Sequence, residues 1–122
     1  MNKSIIAISG LIAVAFGAFG AHGLKSLVDE KTVHAFQTGV AYQFYHTFAL
    51  ALCIFLAANT KWSRYAYNFF LAGIFLFSFS LYFIAFGRAT QINLDWMGPI
   101  TPIGGLCLML GWIFLLKSFL DK

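Results

Sequence analysis

Four long apolar runs, separated by short polar stretches, dominate the chain. They extend over approximately residues 5–24, 36–58, 65–86 and 100–116. Each can cross the roughly 30 Å hydrocarbon core of a bilayer as a helix, and a helix satisfies its backbone hydrogen bonds in lipid. Because the connections are short, neighbouring helices should be antiparallel. The pattern predicts an all-α integral membrane protein, an antiparallel four-helix bundle in which residues 1–122 form a single transmembrane domain.

The second helix is predicted to begin before its apolar run. Ser26 and Asp29 are both residue types that cap helix N-termini. A helix starting at either residue exceeds 25 residues and begins outside the lipid.

The composition excludes an ordinary soluble domain, because 61% of the residues are hydrophobic and only 10% are charged. Such a chain needs the lipid bilayer as its solvent and partner. The formal charge of +4 comes from scattered basic residues rather than a cluster, which argues against nucleic-acid binding.

Orientation follows from the basic residues near the ends of the runs. Five fall on the side of the chain termini and three on the other: Lys3, Lys61, Arg64, Lys117 and Lys122 against Lys25, Lys31 and Arg88. This bias places both termini in the cytoplasm. Trp62, Tyr65 and Trp112 are then expected near the cytoplasmic interface.

The first run carries small residues at every fourth position, which form one ridge on a helix: Ser9, Ala13, Gly17 and Ala21. Such a ridge allows another backbone to approach closely. The partner is either a helix of the same chain, a second copy or another subunit of a larger membrane complex.

The second run carries the chemistry-bearing residues. On a helix an arc of roughly 80° contains Gly39, Gln43, His46, Leu50 and Cys53, with Tyr42 beside them. An ionisable group inside a membrane is costly and asks for a reason. Three interpretations of His46 stay open: a neutral side chain hydrogen-bonded between helices, a proton-transfer or ligand site, and a metal or haem ligand.

The other helices offer hydrogen-bonding partners for this stripe. Ser78 and Tyr82 are one turn apart on the third run, and Thr101 lies near the start of the fourth. With His46, Gln43 and Tyr42 they make up the candidate polar site.

The three histidines are twelve residues apart, at His22, His34 and His46, so no two share a helix face at ligand spacing. His22 and His34 can meet only near the ends of their helices. The sequence therefore predicts no metal and no cofactor. It also has no nucleophile motif or pair of carboxylates for acid–base work, so no catalytic residue is predicted and a non-enzyme is expected.

The start of the fourth run is predicted to be broken, because four residues there disfavour regular helix: Pro99, Pro102, Gly104 and Gly105. Each proline removes a backbone donor and restricts the residue before it, so Ile100 and Thr101 are expected to be extended or turned. We expect a small polar pocket at this end of the helices.

Three motifs in the same order resemble the domain of unknown function 423 family of small membrane proteins. They are GAFGAHGL at 17–24, TGV followed by YQ and His at 38–46, and ITPIGG at 100–105 with Gly111-Trp112 after it. The resemblance covers nearly the whole chain. It implies a multi-span protein of the bacterial inner membrane and brings no established reaction.

Two functions are predicted from these features. The first is a non-enzymatic accessory, scaffold or assembly protein, in a homo-oligomer or in a larger membrane complex. The alternative is a protein that binds or transports a proton, a small solute or a lipid-like ligand through the stripe around His46.

Overall fold

The computed structural model describes residues 1–57 and 59–121, and these residues are almost entirely helical. The helices are, in chain order, α1 (Lys3–Ala21), α2 (Glu30–Phe55), α3 (Lys61–Gly73), a π-helical turn (Ile74–Phe79), α4 (Ser80–Thr90) and α5 (Ile100–Leu120). Short 3-10 turns precede α2 and α5. Ala58, the predicted end of the second run, and Lys122, counted for orientation, lie outside the described residues.

The N-terminus of α2 is capped by Asp29, whose carboxylate accepts a hydrogen bond from the backbone N–H of Thr32 at 3.0 Å. This cap satisfies a donor that the helix itself leaves unpaired. The prediction of an early start is confirmed, since α2 has 26 residues and is therefore about 39 Å long.

The third apolar run is one continuous helical segment from α3 through the π-helical turn into α4. It ends where Gln91 adopts the left-handed conformation at φ 65° and the Gly87 carbonyl accepts the N–H of Ile92. A Cβ at Gly87 would lie 2.6 Å from the Ile92 carbonyl oxygen. Glycine is needed at that position because the chain folds back against it.

The predicted break in the fourth helix is wrong, because α5 is regular from Ile100 onward and Thr101 is helical. Pro99 is its N-cap and Pro102 is only the third helical residue. The first turn of a helix has no internal partners for its N–H groups, so a proline there removes no hydrogen bond. The two prolines start the helix rather than interrupt it.

The helices pack unevenly around α2 and the third segment. α1 packs along α2, whereas α5 packs along α3 and the π-helical turn, and α1 and α5 make at most marginal contact. One apolar core lies between α2, α3 and α5 around Phe70, Leu50 and Leu108. A second lies between α1, α2 and α4 around Phe36 and Tyr82.

Hydrogen bonds define the two ends of the molecule. At the end that we call the terminal end, the Tyr67 hydroxyl donates to the Asn2 carbonyl at 2.9 Å and the Trp62 indole donates to Asp121 at 2.7 Å. At the opposite end, which we call the Arg88 end, Arg88 donates to the Thr32 hydroxyl at 2.7 Å.

Among the described residues, three segments are long and apolar enough to cross a membrane: Lys3–Ser26, Lys61–Thr90 and Asp95–Leu120. α2 is not one of them, although it is long enough. Its lower hydropathy has a structural cause, since it carries buried polar residues, among them Gln43, His46 and Thr47.

Candidate functional site

Gln43 is the centre of a buried hydrogen-bond network in the middle of α2. Its side-chain oxygen accepts from the Tyr82 hydroxyl at 2.6 Å, and its nitrogen donates to the Ser9 carbonyl at 3.0 Å and the Ser9 hydroxyl at 3.2 Å. The Thr47 hydroxyl lies 2.7 Å from that of Ser9. The network thereby joins α1, α2 and α4 by polar contacts that lipid would not provide.

His46 lies on the other side of this stripe and pairs with Trp112 of α5. The indole N–H of Trp112 donates to Nε2 of His46 at 3.0 Å, and Nδ1 lies 2.7 Å from the Tyr42 carbonyl oxygen. Indole can only donate and a carbonyl can only accept, so Nδ1 carries the proton and Nε2 does not. His46 is therefore a neutral imidazole with both nitrogens engaged.

Trp112, which the sequence predicts near the cytoplasmic interface, is in the middle part of α5, and its ring also contacts Phe70 edge to face with centroids 5.1 Å apart. Its indole N–H has an acceptor inside the protein, the His46 imidazole. Sequence reasoning missed this residue as a partner of His46.

The predicted polar-site residues separate into four groups. Tyr82 joins Gln43, as described, whereas Ser78 donates to the Gly39 carbonyl at 2.6 Å. Thr101 does not pair with His46, because its hydroxyl pairs with Ser80 at the start of α4. Tyr42 gives His46 its backbone carbonyl as a hydrogen-bond acceptor, and the two ring centroids are 6.0 Å apart.

The small-residue ridge of α1 faces α2 of the same chain. Ser9 and Ala13 are buried, and Val40 of α2 lies 3.4 Å from where a Cβ of Gly17 would be. Ala21, the last member, is partly buried at the end of the helix. The ridge is therefore largely occupied by an intramolecular contact.

The closest helix approach is elsewhere, between α5 and the third segment. A Cβ at Gly104 would lie 2.3 Å from the backbone nitrogen of Phe77, and one at Gly111 would lie 2.6 Å from the Phe70 ring. In the same way, a Cβ at Gly73 would lie 2.4 Å from Cδ2 of Leu108. The spacing of Gly104 and Gly111, seven residues apart on one face, was the available signal for this seam.

A groove, which we call the α2–α5 groove, runs beside the His46–Trp112 pair. It has a volume of about 470 Å³ and opens on the outer surface of the helices. Its lining residues are Tyr42, Tyr45, His46, Gly105, Leu108, Met109 and Trp112. Two of its walls are aromatic. Trp112 forms one, and the other is the Tyr42 ring, which stacks on Phe77 with centroids 4.7 Å apart.

A polar cavity of about 440 Å³ lies at the Arg88 end, between the residues before α2 and Arg88. Its lining includes Asp29, Lys31 and Thr32. This cavity is not the pocket expected from the sequence, because the start of α5 does not line it. Hydrogen bonds from Thr32, first from its side chain and then from its backbone, lower the pKa of Asp29.

Arg88, which lines this cavity, pairs with a carboxylate outside it. Arg88 and Asp95 form a salt bridge at 3.3 Å in which both side chains are about half exposed. His22 and His34 are exposed near the same end. In the described part of the chain, no three histidine, cysteine or carboxylate side chains are grouped as a metal site would require.

Long apolar helices with inward polar groups define this chain as a multi-pass membrane protein. Its sequence matches the family described as "Protein of unknown function (DUF423)" over residues 16–105, and the chain belongs to that family. The resemblance based on the three motifs is thus confirmed.

Similar proteins extend along nearly the whole chain. A UPF0382 membrane protein of Haemophilus influenzae is 42% identical over 113 residues, which are 92% of this chain and 87% of the relative. UPF0382 membrane protein YwdK of Bacillus subtilis is 39% identical, over 92% and 89%. UPF0382 inner membrane protein YgdD of Escherichia coli is 38% identical, over 90% and 82%.

No solved structure is similar to this chain at a significant level. The relatives and the apolar helices together place the protein in the bacterial inner membrane as a multi-pass protein, in contact with lipid.

Proposed function

We propose that this protein is a non-enzymatic accessory protein of the inner membrane whose first helix packs against a further transmembrane helix. The observation that carries the proposal is the bare outward side of α1. We call this side the α1 outer face, and its residues fall within roughly 100° of the helix surface: Ala7, Gly10, Leu11, Val14 and Ala18.

The α1 outer face has the composition of a helix contact. Leu11 is 70% exposed and Val14 59% exposed, while Ala7, Gly10 and Ala18 are small. A Cβ at Gly10 would meet nothing within 4 Å, so packing within the chain does not account for that glycine. Small residues in lipid favour close backbone approach by another helix.

The proposed topology is a single domain of four spans that run antiparallel, with both termini in the cytoplasm. The bonds of Asn2 to Tyr67 and of Trp62 to Asp121 support it, because they bring the starts of α1 and α3 and the end of α5 to one side. α2 completes the set as a fourth span whose polar groups face inward. The bias of five basic residues to three supports the orientation.

The test places a photo-crosslinking amino acid at Val14 in cells and identifies its adducts by mass spectrometry. We expect one discrete protein adduct, either a second copy or another subunit. Gly10→Leu should abolish it, because the larger side chain has free space within its own chain and blocks only an approaching helix. Gly105→Leu, a matched glycine change on α5, should leave the adduct intact.

Two results would refute the accessory role as proposed. One is that the crosslinker at Val14 captures only lipid. The other is that the adduct persists at the same yield in Gly10→Leu. An unfolding midpoint of Gly10→Leu in detergent that is no lower than that of the unchanged protein serves as the folding control.

A second candidate function is ligand binding beside His46, and the α2–α5 groove favours it. Its volume of 470 Å³ lies in the range of small-molecule pockets. Binding fits the groove better than proton transfer does, since both nitrogens of His46 already have hydrogen-bond partners. A binding measurement for this groove is designed below.

A further inference from the structure

The α2–α5 groove exists because Gly105 has no side chain. A Cβ at this position would meet only Cδ2 of Phe77, at 3.8 Å, which is ordinary van der Waals contact. Its neighbour Gly104 is different, since a Cβ there would meet the backbone of Phe77 at 2.3 Å. Contact between helices explains why residue 104 is glycine. It does not explain why residue 105 is glycine or why the space beside it is open.

Two tyrosines on the opposite wall have hydroxyls without partners. Tyr42 is 40% exposed and Tyr45 60% exposed, and neither hydroxyl forms a hydrogen bond with any residue that the structure describes. Tyr42 lies about 18 to 20 Å from either end of α2 by the helical rise. At that depth there is no water to hydrogen-bond a hydroxyl, so an unpaired one is costly.

The size and walls of the groove restrict what can fill this space. A helix has a diameter of about 10 to 12 Å with its side chains, which is more than a 470 Å³ depression between two adjacent helices receives. A flat ring fits, because Trp112 and the stacked Tyr42–Phe77 pair offer aromatic faces on which a ring can lie.

We propose that the α2–α5 groove binds a membrane-soluble compound with a flat ring that carries oxygen acceptors, the chemistry of a quinone. The ring lies against Trp112 above Gly105, and the hydroxyls of Tyr42 and Tyr45 donate to its oxygens. This proposal rests on the second candidate function and names its ligand class. It is independent of the contact at the α1 outer face.

The experiment titrates the reconstituted full chain in lipid vesicles with decylubiquinone and follows the fluorescence of Trp112. Trp62→Phe and Trp96→Phe make Trp112 the single tryptophan, and a quinone quenches indole emission on contact. Binding in the groove is expected to give saturable quenching. Free collision in the lipid gives quenching that rises linearly with the quinone content.

Two variants and one competitor test the groove and its chemistry. Gly105→Leu fills the groove and is expected to leave only the linear quenching, while Gly10→Leu, the matched glycine change on α1, keeps the saturable part. The double change Tyr42→Phe and Tyr45→Phe keeps the rings and the fold but should weaken decylubiquinone binding about tenfold. Decylbenzene, which lacks oxygens and does not quench, should relieve half of the saturable quenching only at a content at least about tenfold above that of decylubiquinone.

The outcomes separate this inference from the function on which it rests. Saturable quenching that decylbenzene relieves by half at a content equal to that of decylubiquinone, or whose half-saturation is unchanged by the double tyrosine change, would overturn the ring-with-acceptors class and keep ligand binding. Saturable quenching unchanged by Gly105→Leu would place the site elsewhere and overturn the inference. Linear quenching in the unchanged protein would refute both the inference and binding in this groove.

Discussion

The contact between α5 and the π-helical turn should be the position in the fold most sensitive to the addition of a single methyl group. Gly104→Ala places a Cβ 2.3 Å from the backbone nitrogen of Phe77 and 2.6 Å from the carbonyl carbon of Leu76. Ordinary contact begins at 3.4 Å, so α5 must move away by about 1 Å. Backbone atoms of a helix cannot rotate aside as a side chain does.

The expected magnitude follows from two opposing terms. Overpacking of this kind costs about 1 to 3 kcal/mol, and the upper part applies here because backbone blocks the methyl group. Replacing glycine by alanine in a helix returns up to about 1 kcal/mol. Gly105→Ala gains the helix propensity of alanine without the cost of overpacking. The two adjacent variants should therefore differ in free energy of unfolding by about 2 to 3 kcal/mol.

Unfolding of both variants in mixed micelles, by titration with a denaturing detergent and monitored by tryptophan fluorescence, measures this difference. A separation of less than about 0.5 kcal/mol would refute the assignment of Gly104 as the contact point. A Gly105→Ala protein that is the less stable of the two would refute it as well.

Two further predictions concern polar contacts. Tyr82→Phe leaves the Gln43 side-chain oxygen without its donor and should cost about 0.5 to 2 kcal/mol in the same unfolding assay; an unchanged midpoint would contradict the hydrogen bond. Asp29 has a lowered pKa, so its contribution is complete above the unfolded-state pKa and is lost as the pH falls through the folded-state value. Asp29→Asn keeps a capping side chain and should flatten the stability profile in that acidic range, whereas an identical profile would exclude Asp29 as its source.

The helical class and the inward polar stripe could be predicted because both follow from spacing along one helix. Gln43 and His46 share a face at about 100° per residue, and the membrane makes that face turn towards protein. The partners across helices could not be predicted in the same way. Whether His46 meets Thr101 or Trp112 depends on how far α5 is shifted along α2, and spacing within either helix carries no information about that shift.

The errors have local causes. The proline rule applied to Pro102 holds for a helix interior, whereas its distance from the helix start decides whether it removes a hydrogen bond. The ridge through Gly17 has small residues at every fourth position, yet a Cβ at Gly17 would meet only Val40, at 3.4 Å. The spacing of Gly104 and Gly111 is visible in the sequence and indicates a tight helix contact. The sequence has no signal, however, for the π-helical turn that brings Phe77 against Gly104.

The π-helical turn divides the third segment into two halves that serve different neighbours. Before it, Phe70 and Gly73 face α5; near its end Ser78 reaches α2, and after it Tyr82 does so as well. A π turn holds one more residue than an α turn, so it changes the direction in which the side chains of the second half point relative to those of the first. The number of residues in Ile74–Phe79 is therefore as much a part of the fold as their identity. Removing one would rotate α4 by about 100° relative to α3 and carry Tyr82 away from Gln43, although no remaining side chain had changed.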